Sequence, residues 1–169
     1  MYFLADGTEA THLFYLKDDI RKKYIRALII PNPFTFQVST EVDRSFIIYC
    51  NKIARLYRFK IKYYSKDSGI SGGFTKNKIL MLDSLKQNFK QFIIVFCHEM
   101  AHGIQEKLYG SYYLKRTKKV MYKFEKEADN LGYYLYKEYF TDFIILHEPN
   151  FKTYASKENK KWLYKYYEV

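Results

Sequence analysis

Residues 98–102 read H-E-M-A-H, which is the pattern H-E-x-x-H. On an α-helix, residues four positions apart lie on the same face about one turn apart, so His98 and His102 can bind a single metal ion. This arrangement suits Zn²⁺, and Glu99 would lie close enough to act on a water molecule bound to that ion. The pattern therefore predicts a helical zinc site with Glu99 as its candidate catalytic residue.

A third protein ligand must come from elsewhere, because a catalytic zinc site uses three protein ligands and leaves one position for water. In the adamalysin-like pattern, a Gly and a His follow the second His at fixed short offsets, but here those places hold Gln105 and Leu108. The only later histidine is His147, far downstream. The other option is a carboxylate on a following helix.

The sequence E-K-E-A-D that begins at Glu125 offers such a carboxylate. Glu125 and Asp129 are four apart and share a helix face. We predict Glu125 as the third ligand and Asp129 as the acceptor for the free imidazole N–H of a zinc-bound His, a contact that fixes the tautomer of the ring. Glu127 is expected to point elsewhere, into solvent. Small neighbours would let this helix approach the zinc helix closely: Ala128 and Gly132.

Two long helices must position these side chains. H-E-x-x-H lies inside a strongly apolar stretch that predicts a helix over about 85–108. We expect a capping box at Ser84 and Gln87 to begin this helix and residues 109–111 to end it. Apolar and small residues at helical spacing predict the second helix over about 117–139.

The other predicted elements are shorter. Apolar residues at helical spacing indicate two helices, and apolar runs bounded by turn residues indicate two strands. In chain order we predict a short β element or an extended arm at 1–16, a helix at 18–30, a helix capped by Ser39 or Thr40 that ends near Tyr57, strands at 59–64 and 74–82 around a loop at 68–73, and a terminal helix at 156–167.

Length and composition indicate one domain, 1–169, with a core over about 38–140 and peripheral N-terminal and C-terminal segments. The longest apolar run, 92–97, is too short to span a bilayer, and the N-terminus lacks the basic region of a signal peptide. Two cysteines are too few for a disulfide framework, so we predict a cytoplasmic protein. Cys97 would point away from the His face and be buried.

Net charge is +11, which makes nucleic acid a candidate partner. The basic residues are scattered, however, and Lys dominates Arg, as in proteins from AT-rich genomes. Nucleic-acid binding through this basic surface is therefore not the favoured interpretation, and the sequence leaves the oligomeric state open.

The pattern H-E-x-x-H at 98–102 followed by E-x-E-A-D at 125–129 resembles the gluzincin metallopeptidases, and among them the ImmA/IrrE-like group. The resemblance covers roughly 59–140. HtpX-like peptidases share the E-x-E-A-D motif, but they usually carry membrane helices, for which this chain has no segment. SprT-like proteins need a third His at a short distance, and none is present.

This resemblance implies an α+β, minimal zincin-like fold, in which a small antiparallel or mixed sheet packs on the H-E-x-x-H helix and on a following Glu-bearing helix. It also implies a zinc-dependent endopeptidase. One Zn²⁺ would be held by His98, His102 and Glu125, and Asp129 would accept a hydrogen bond from one of the ligating histidines. A narrow regulatory protein substrate is typical of the group, and many members belong to phages or mobile elements.

The sequence does not decide two parts of such a site, the oxyanion donor and the place where substrate binds. The tetrahedral oxyanion needs a hydrogen-bond donor. A substrate peptide would lie extended along an edge strand at Gly72, Gly73 and Phe74. With 19 tyrosines in the chain, the sequence does not choose among the candidate donors, which are Tyr133, Tyr134 and His147, with Tyr112 and Tyr113 also considered.

The alternative is a catalytically silent protein that uses the zincin fold as a structural or interaction module. Such a protein could be phage-encoded or virion-associated, with its basic, Tyr-rich surface contacting nucleic acid or protein. Zinc content together with hydrolysis separates the two readings.

Overall fold

The computed structural model describes residues 23, 25–36, 38–65, 71–110, 113, 118–143, 149 and 151. Within those residues it contains three long helices, three strands and one 3-10 helix, which confirms the predicted α+β class. The predicted arm at 1–16, the terminal helix at 156–167 and residues 18–22 and 24 of the helix at 18–30 lie outside the described residues. The elements are α1 (Arg44–Leu56), β1 (Lys60–Tyr64), β2 (Gly72–Thr75), β3 (Lys78–Leu82), the 3-10 helix (Asp83–Gln87), α2 (Phe89–Tyr109) and α3 (Lys118–Tyr139).

Helix α1 begins later than the sequence suggested. Its N-cap is Asp43, whose carboxylate accepts a hydrogen bond from the backbone N–H of Phe46 at 2.8 Å. The Ser39 hydroxyl instead donates to the carbonyl of Glu41 at 2.9 Å, so it closes a local turn and does not cap the helix. The prediction of Ser39 or Thr40 as the cap was wrong. The buried face of α1 carries apolar residues at helical spacing: Phe46, Tyr49, Cys50, Ile53 and Ala54.

The three strands form a mixed sheet in the order β1-β3-β2. β1 runs parallel to β3, and β2 pairs with β3 in antiparallel fashion. A two-residue turn joins β2 to β3, and both of its residues have positive φ, 45° at Lys76 and 64° at Asn77. Such turns match the twist of a hairpin, but they usually contain Gly. The predicted single strand at 74–82 was therefore wrong, because a Lys-Asn turn interrupts it.

Helix α2 also begins at a different cap. Asn88 accepts a hydrogen bond from the backbone N–H of Gln91 at 3.0 Å and starts the helix. The residues expected to form the capping box, Ser84 and Gln87, lie in the 3-10 helix, so that prediction was wrong. The helix ends at Gly110, where φ is 55°. Every residue from 92 to 105 is buried, so α2 is the central helix of the described structure.

Two glycines allow close approaches to α2. An added Cβ at Gly72 in β2 would lie 2.6 Å from Cγ1 of Val95. The edge strand β2 therefore packs directly against the helix. An added Cβ at Gly132 in α3 would lie 3.3 Å from the backbone nitrogen of His98. Helix α2 is thus held between β2 on one side and α3 on another. No helix among the described residues is long and apolar enough to cross a membrane.

Candidate metal centre

Three side chains from α2 and α3 converge on one point. Nε2 of His98 lies 3.0 Å from Nε2 of His102 and 3.1 Å from Oε2 of Glu125. Nε2 of His102 lies 3.3 Å from Oε1 of Glu125. All three side chains are buried, and their donor atoms lie within 4.8 Å of one another. This group could hold a metal ion.

The outer nitrogen of His98 is bound by Asp129. Nδ1 of the ring lies 2.9 Å from Oδ1 of Asp129. A carboxylate accepts hydrogen bonds, so Nδ1 is the nitrogen that carries the proton. In the neutral ring Nε2 then presents a lone pair to His102 and Glu125. The helical spacing of the sequence predicted this contact of Asp129 with a histidine ring.

The outer nitrogen of His102 is bound by Gln105, a contact that sequence reasoning missed. The amide nitrogen of Gln105 donates to the carbonyl of Phe124 at 2.9 Å and to Oε1 of Glu127 at 3.0 Å. Both partners are acceptors, which fixes the amide orientation and leaves Oε1 of Gln105 facing Nδ1 of His102 at 2.9 Å. Nδ1 of His102 therefore donates, and its Nε2 also presents a lone pair.

Three electron-pair donors thus face one another without an intervening hydrogen, and a cation is needed between them. A proton or a metal ion can meet this need. Burial lowers the pKa of His98, but its hydrogen bonds to Asp129 and Glu125 outweigh burial and raise the pKa well above the usual value. Burial would raise the pKa of Glu125, yet the two histidines hold it far below the ordinary range.

Glu99 lies beside this group, on the side of α2 that faces β2. An added Cβ at Gly72 would lie 3.1 Å from Oε1 of Glu99. Burial raises the pKa of Glu99 above its usual value, against the opposing effect of His98 and His102. Among the described residues, no group donates a hydrogen bond to the Glu99 carboxylate. Its carboxylate is therefore available to accept a proton from a water molecule in the site.

Glu127 is buried, which corrects the expectation that it is solvated. The hydroxyl of Tyr109 lies 2.8 Å from Oε1 and 2.9 Å from Oε2 of Glu127, and Gln105 donates to the same carboxylate. The expectation was wrong because it considered only the metal-facing side of α3, whereas α2 extends past His102 and covers Glu127. Gln105 and Tyr109 are four apart and so share one face of α2, which was the available signal.

The candidate oxyanion donors lie at different positions in the structure. Tyr134 lies nine positions after Glu125, about half a turn around α3, and Arg26 stacks on its ring at 3.5 Å. The ring of Tyr133 packs against Phe151, with centroids 6.2 Å apart. The ring of Tyr113 lies 6.1 Å from that of His102 and is buried. The other two candidates, His147 and Tyr112, lie outside the described residues.

The residues expected to receive a substrate strand lie in β2, which pairs with β3 along one edge only within the described sheet. Gly72 contacts the glutamate side of α2, and an added Cβ at Gly73 would meet nothing nearer than 3.9 Å. Phe74 packs its ring against Phe59 at 5.0 Å, so this side chain contributes to packing. The other edge of β2 has no strand partner within the described sheet.

Cys97 is buried and free, as is Cys50. Burial raises the pKa of the Cys97 thiol well above its usual value, which opposes metal ligation by a thiolate. The metal centre is therefore built from imidazole and carboxylate groups alone among the described residues.

A comparison of the chain with protein-family models, with curated protein sequences and with solved structures finds no match.

Proposed function

We propose that this protein is a zinc-dependent endopeptidase. The observation that carries the proposal is the convergence of His98, His102 and Glu125 on one buried point with Glu99 beside it. Two imidazoles, one carboxylate and an adjacent glutamate are the donor set and the base that peptide hydrolysis by a zinc site requires.

The spacing of the donor atoms suits zinc. Tetrahedral zinc with bonds of about 2.0–2.1 Å separates neighbouring nitrogen or oxygen ligands by about 3.3–3.4 Å. The three separations here are 3.0, 3.1 and 3.3 Å, so only small adjustments are needed. Three protein ligands leave one tetrahedral position for water or substrate, which favours a catalytic over a purely structural site.

When bound, zinc supplies a Lewis acid that polarises a carbonyl and lowers the pKa of water. Glu99 accepts the proton of the attacking water as that water adds to the scissile carbonyl carbon. Glu99 then donates the proton to the leaving amine nitrogen as the C–N bond breaks. A pKa raised toward neutrality suits a group that must both accept and release a proton. Asp129 and Gln105 keep the two imidazoles oriented throughout.

The substrate would add to the free edge of β2 through backbone hydrogen bonds. One face of β2 packs against Glu99 at Gly72, so a peptide extended along the neighbouring edge would pass close to the reacting groups. The resemblance to the ImmA/IrrE-like group suggests a narrow protein substrate of regulatory type.

The experiment is a proteolysis screen with casein and a peptide library, run on the wild type and on Glu99→Gln. The amide of Gln cannot act as a base, so we expect cleavage to fall by about 10²–10⁴-fold while zinc content stays the same. Hydrolysis by Glu99→Gln at the wild-type rate would remove Glu99 from the mechanism. Stoichiometric zinc without any cleavage by the wild type would favour the silent interaction module.

A further inference from the structure

The two imidazoles of the metal centre are supported in different ways. His98 is backed directly by a carboxylate, that of Asp129, at 2.9 Å. His102 is backed by the neutral amide of Gln105, and the carboxylate lies one hydrogen bond further away, on Glu127. Tyr109 holds that carboxylate from the far side. The four residues of this hydrogen-bonded chain are all buried: His102, Gln105, Glu127 and Tyr109.

The amide of Gln105 can in principle face His102 with either end. With its oxygen toward the ring, as observed, it accepts from Nδ1 and leaves Nε2 free to bind a metal. With its nitrogen toward the ring, it would donate to Nδ1 and place the ring proton on Nε2, which then could not bind a metal. The orientation of one side-chain amide therefore decides whether His102 is a ligand.

Two acceptors hold the productive orientation. The carbonyl of Phe124 accepts from the amide nitrogen at 2.9 Å, and Oε1 of Glu127 accepts at 3.0 Å. Reversing the amide would turn its oxygen toward both acceptors in a buried place, where unpaired or repelling polar groups are costly. The carboxylate contributes most to this preference, because hydrogen bonds to an ionised acceptor are about twice as strong as neutral ones.

We propose that Glu127 is a positioning residue for the metal centre, acting through Gln105 to fix the ligating tautomer of His102 and so to set the affinity for zinc. Tyr109 supports it by donating to both carboxylate oxygens. The inference rests on the proposed zinc site. It differs from that proposal because it assigns a role to a residue that does not contact the metal-binding atoms.

The test measures the dissociation constant for zinc by competition with a chelating dye, using metal-free protein that is folded by circular dichroism. Glu127→Gln keeps the size of the side chain and one acceptor oxygen, but it replaces the other oxygen with a donor and removes the charge, so we expect it to weaken zinc binding by about 10–100-fold. Glu138→Gln makes the same chemical change at an exposed position of α3 and should leave the affinity unchanged. Tyr109→Phe should weaken binding in the same direction, by less.

A double-mutant cycle separates positioning from general support of the fold. In a Gln105→Leu background the path from Glu127 to His102 is cut, so Glu127→Gln should then change zinc affinity by less than about twofold. An undiminished loss in that background, or no loss in the single variant, would overturn the role of Glu127. Failure of the wild type itself to bind zinc would overturn the proposed function and this inference together.

Discussion

Nε2 of His98 and Nε2 of His102 face each other across 3.0 Å, although each ring donates its other N–H outward. Two lone pairs at that distance repel unless a cation lies between them. We therefore expect the stability of the folded protein to depend on the cation bound between the two rings, which is a proton or a metal ion.

The metal-free protein should lose stability as the pH rises. Because the folded-state pKa of His98 is raised, its contribution is fully present below the unfolded pKa, about 6.5, and is lost as the pH rises through the folded value. The raised pKa of Glu99 acts in the same direction. We expect the Tm of the chelator-treated protein, measured by circular dichroism, to fall steadily above about pH 6.5.

Zinc should counter this loss. At a free concentration of about a thousand times Kd, zinc adds about 4 kcal/mol to the free energy of unfolding, or about 8–16 °C in Tm for a chain of this size. Since zinc replaces a proton, the gap between the two Tm values should widen from pH 6 to pH 8. A gap that stays constant, or no shift with zinc, would contradict this description of the site.

Asp129→Asn should weaken zinc binding by about 10–100-fold, because the amide oxygen can accept from Nδ1 of His98 but carries no charge. The same substitution removes a group that raises the folded-state pKa of His98, so the loss of Tm above about pH 6.5 should be smaller and should end at a lower pH. Dye competition and thermal unfolding measure the two effects. Asp142→Asn, at an exposed position, is the control, and equal behaviour of the two variants would exclude the proposed role of Asp129.

Neighbouring glycines in β2 should respond differently to the same change. A Cβ at Gly72 would lie 2.6 Å from Val95 and 3.0 Å from Cγ of Glu99, whereas a Cβ at Gly73 would meet only Leu80, at 3.9 Å. We expect Gly72→Ala to cost about 1–3 kcal/mol in the free energy of unfolding and to lower hydrolysis by displacing Glu99, with zinc retained.

Gly73→Ala is the matched control for packing and should leave the free energy of unfolding nearly unchanged. Val95→Ala removes the nearest clashing atom, so the double variant Gly72→Ala, Val95→Ala should recover part of the lost hydrolysis. Denaturant unfolding and peptide cleavage assays measure both effects. Full activity and stability in Gly72→Ala would show that β2 does not press on Glu99.

Much of the site could be predicted from the sequence because its geometry is local. His98 and His102 share a face by helical spacing alone, and the same rule pairs Glu125 with Asp129. What helical spacing could not supply was the lateral register of α2 against α3. Gln105 and Glu127 form a hydrogen bond although they are 22 residues apart in sequence, so the pattern within either helix alone could not predict it.

The fold was less predictable where local signals were ambiguous. The β2–β3 hairpin turns on Lys76 and Asn77, residues without the glycine that usually marks positive φ. The start of α2 was placed too early because S-x-x-Q matches a capping box, while Asn88 forms the cap. At the start of α2 a neighbouring residue thus took the role of the cap.

The sharpest test of the metal centre compares the zinc content and X-ray absorption spectrum of the purified protein with those of Glu125→Ala. We expect one zinc per wild-type chain, with a shell of nitrogen and oxygen ligands at about 2.0–2.1 Å and no sulfur at about 2.3 Å. Glu125→Ala should lose most of its zinc, whereas Glu138→Ala should retain it. Full zinc in Glu125→Ala, or a sulfur ligand in the wild type, would contradict a centre built from His98, His102 and Glu125.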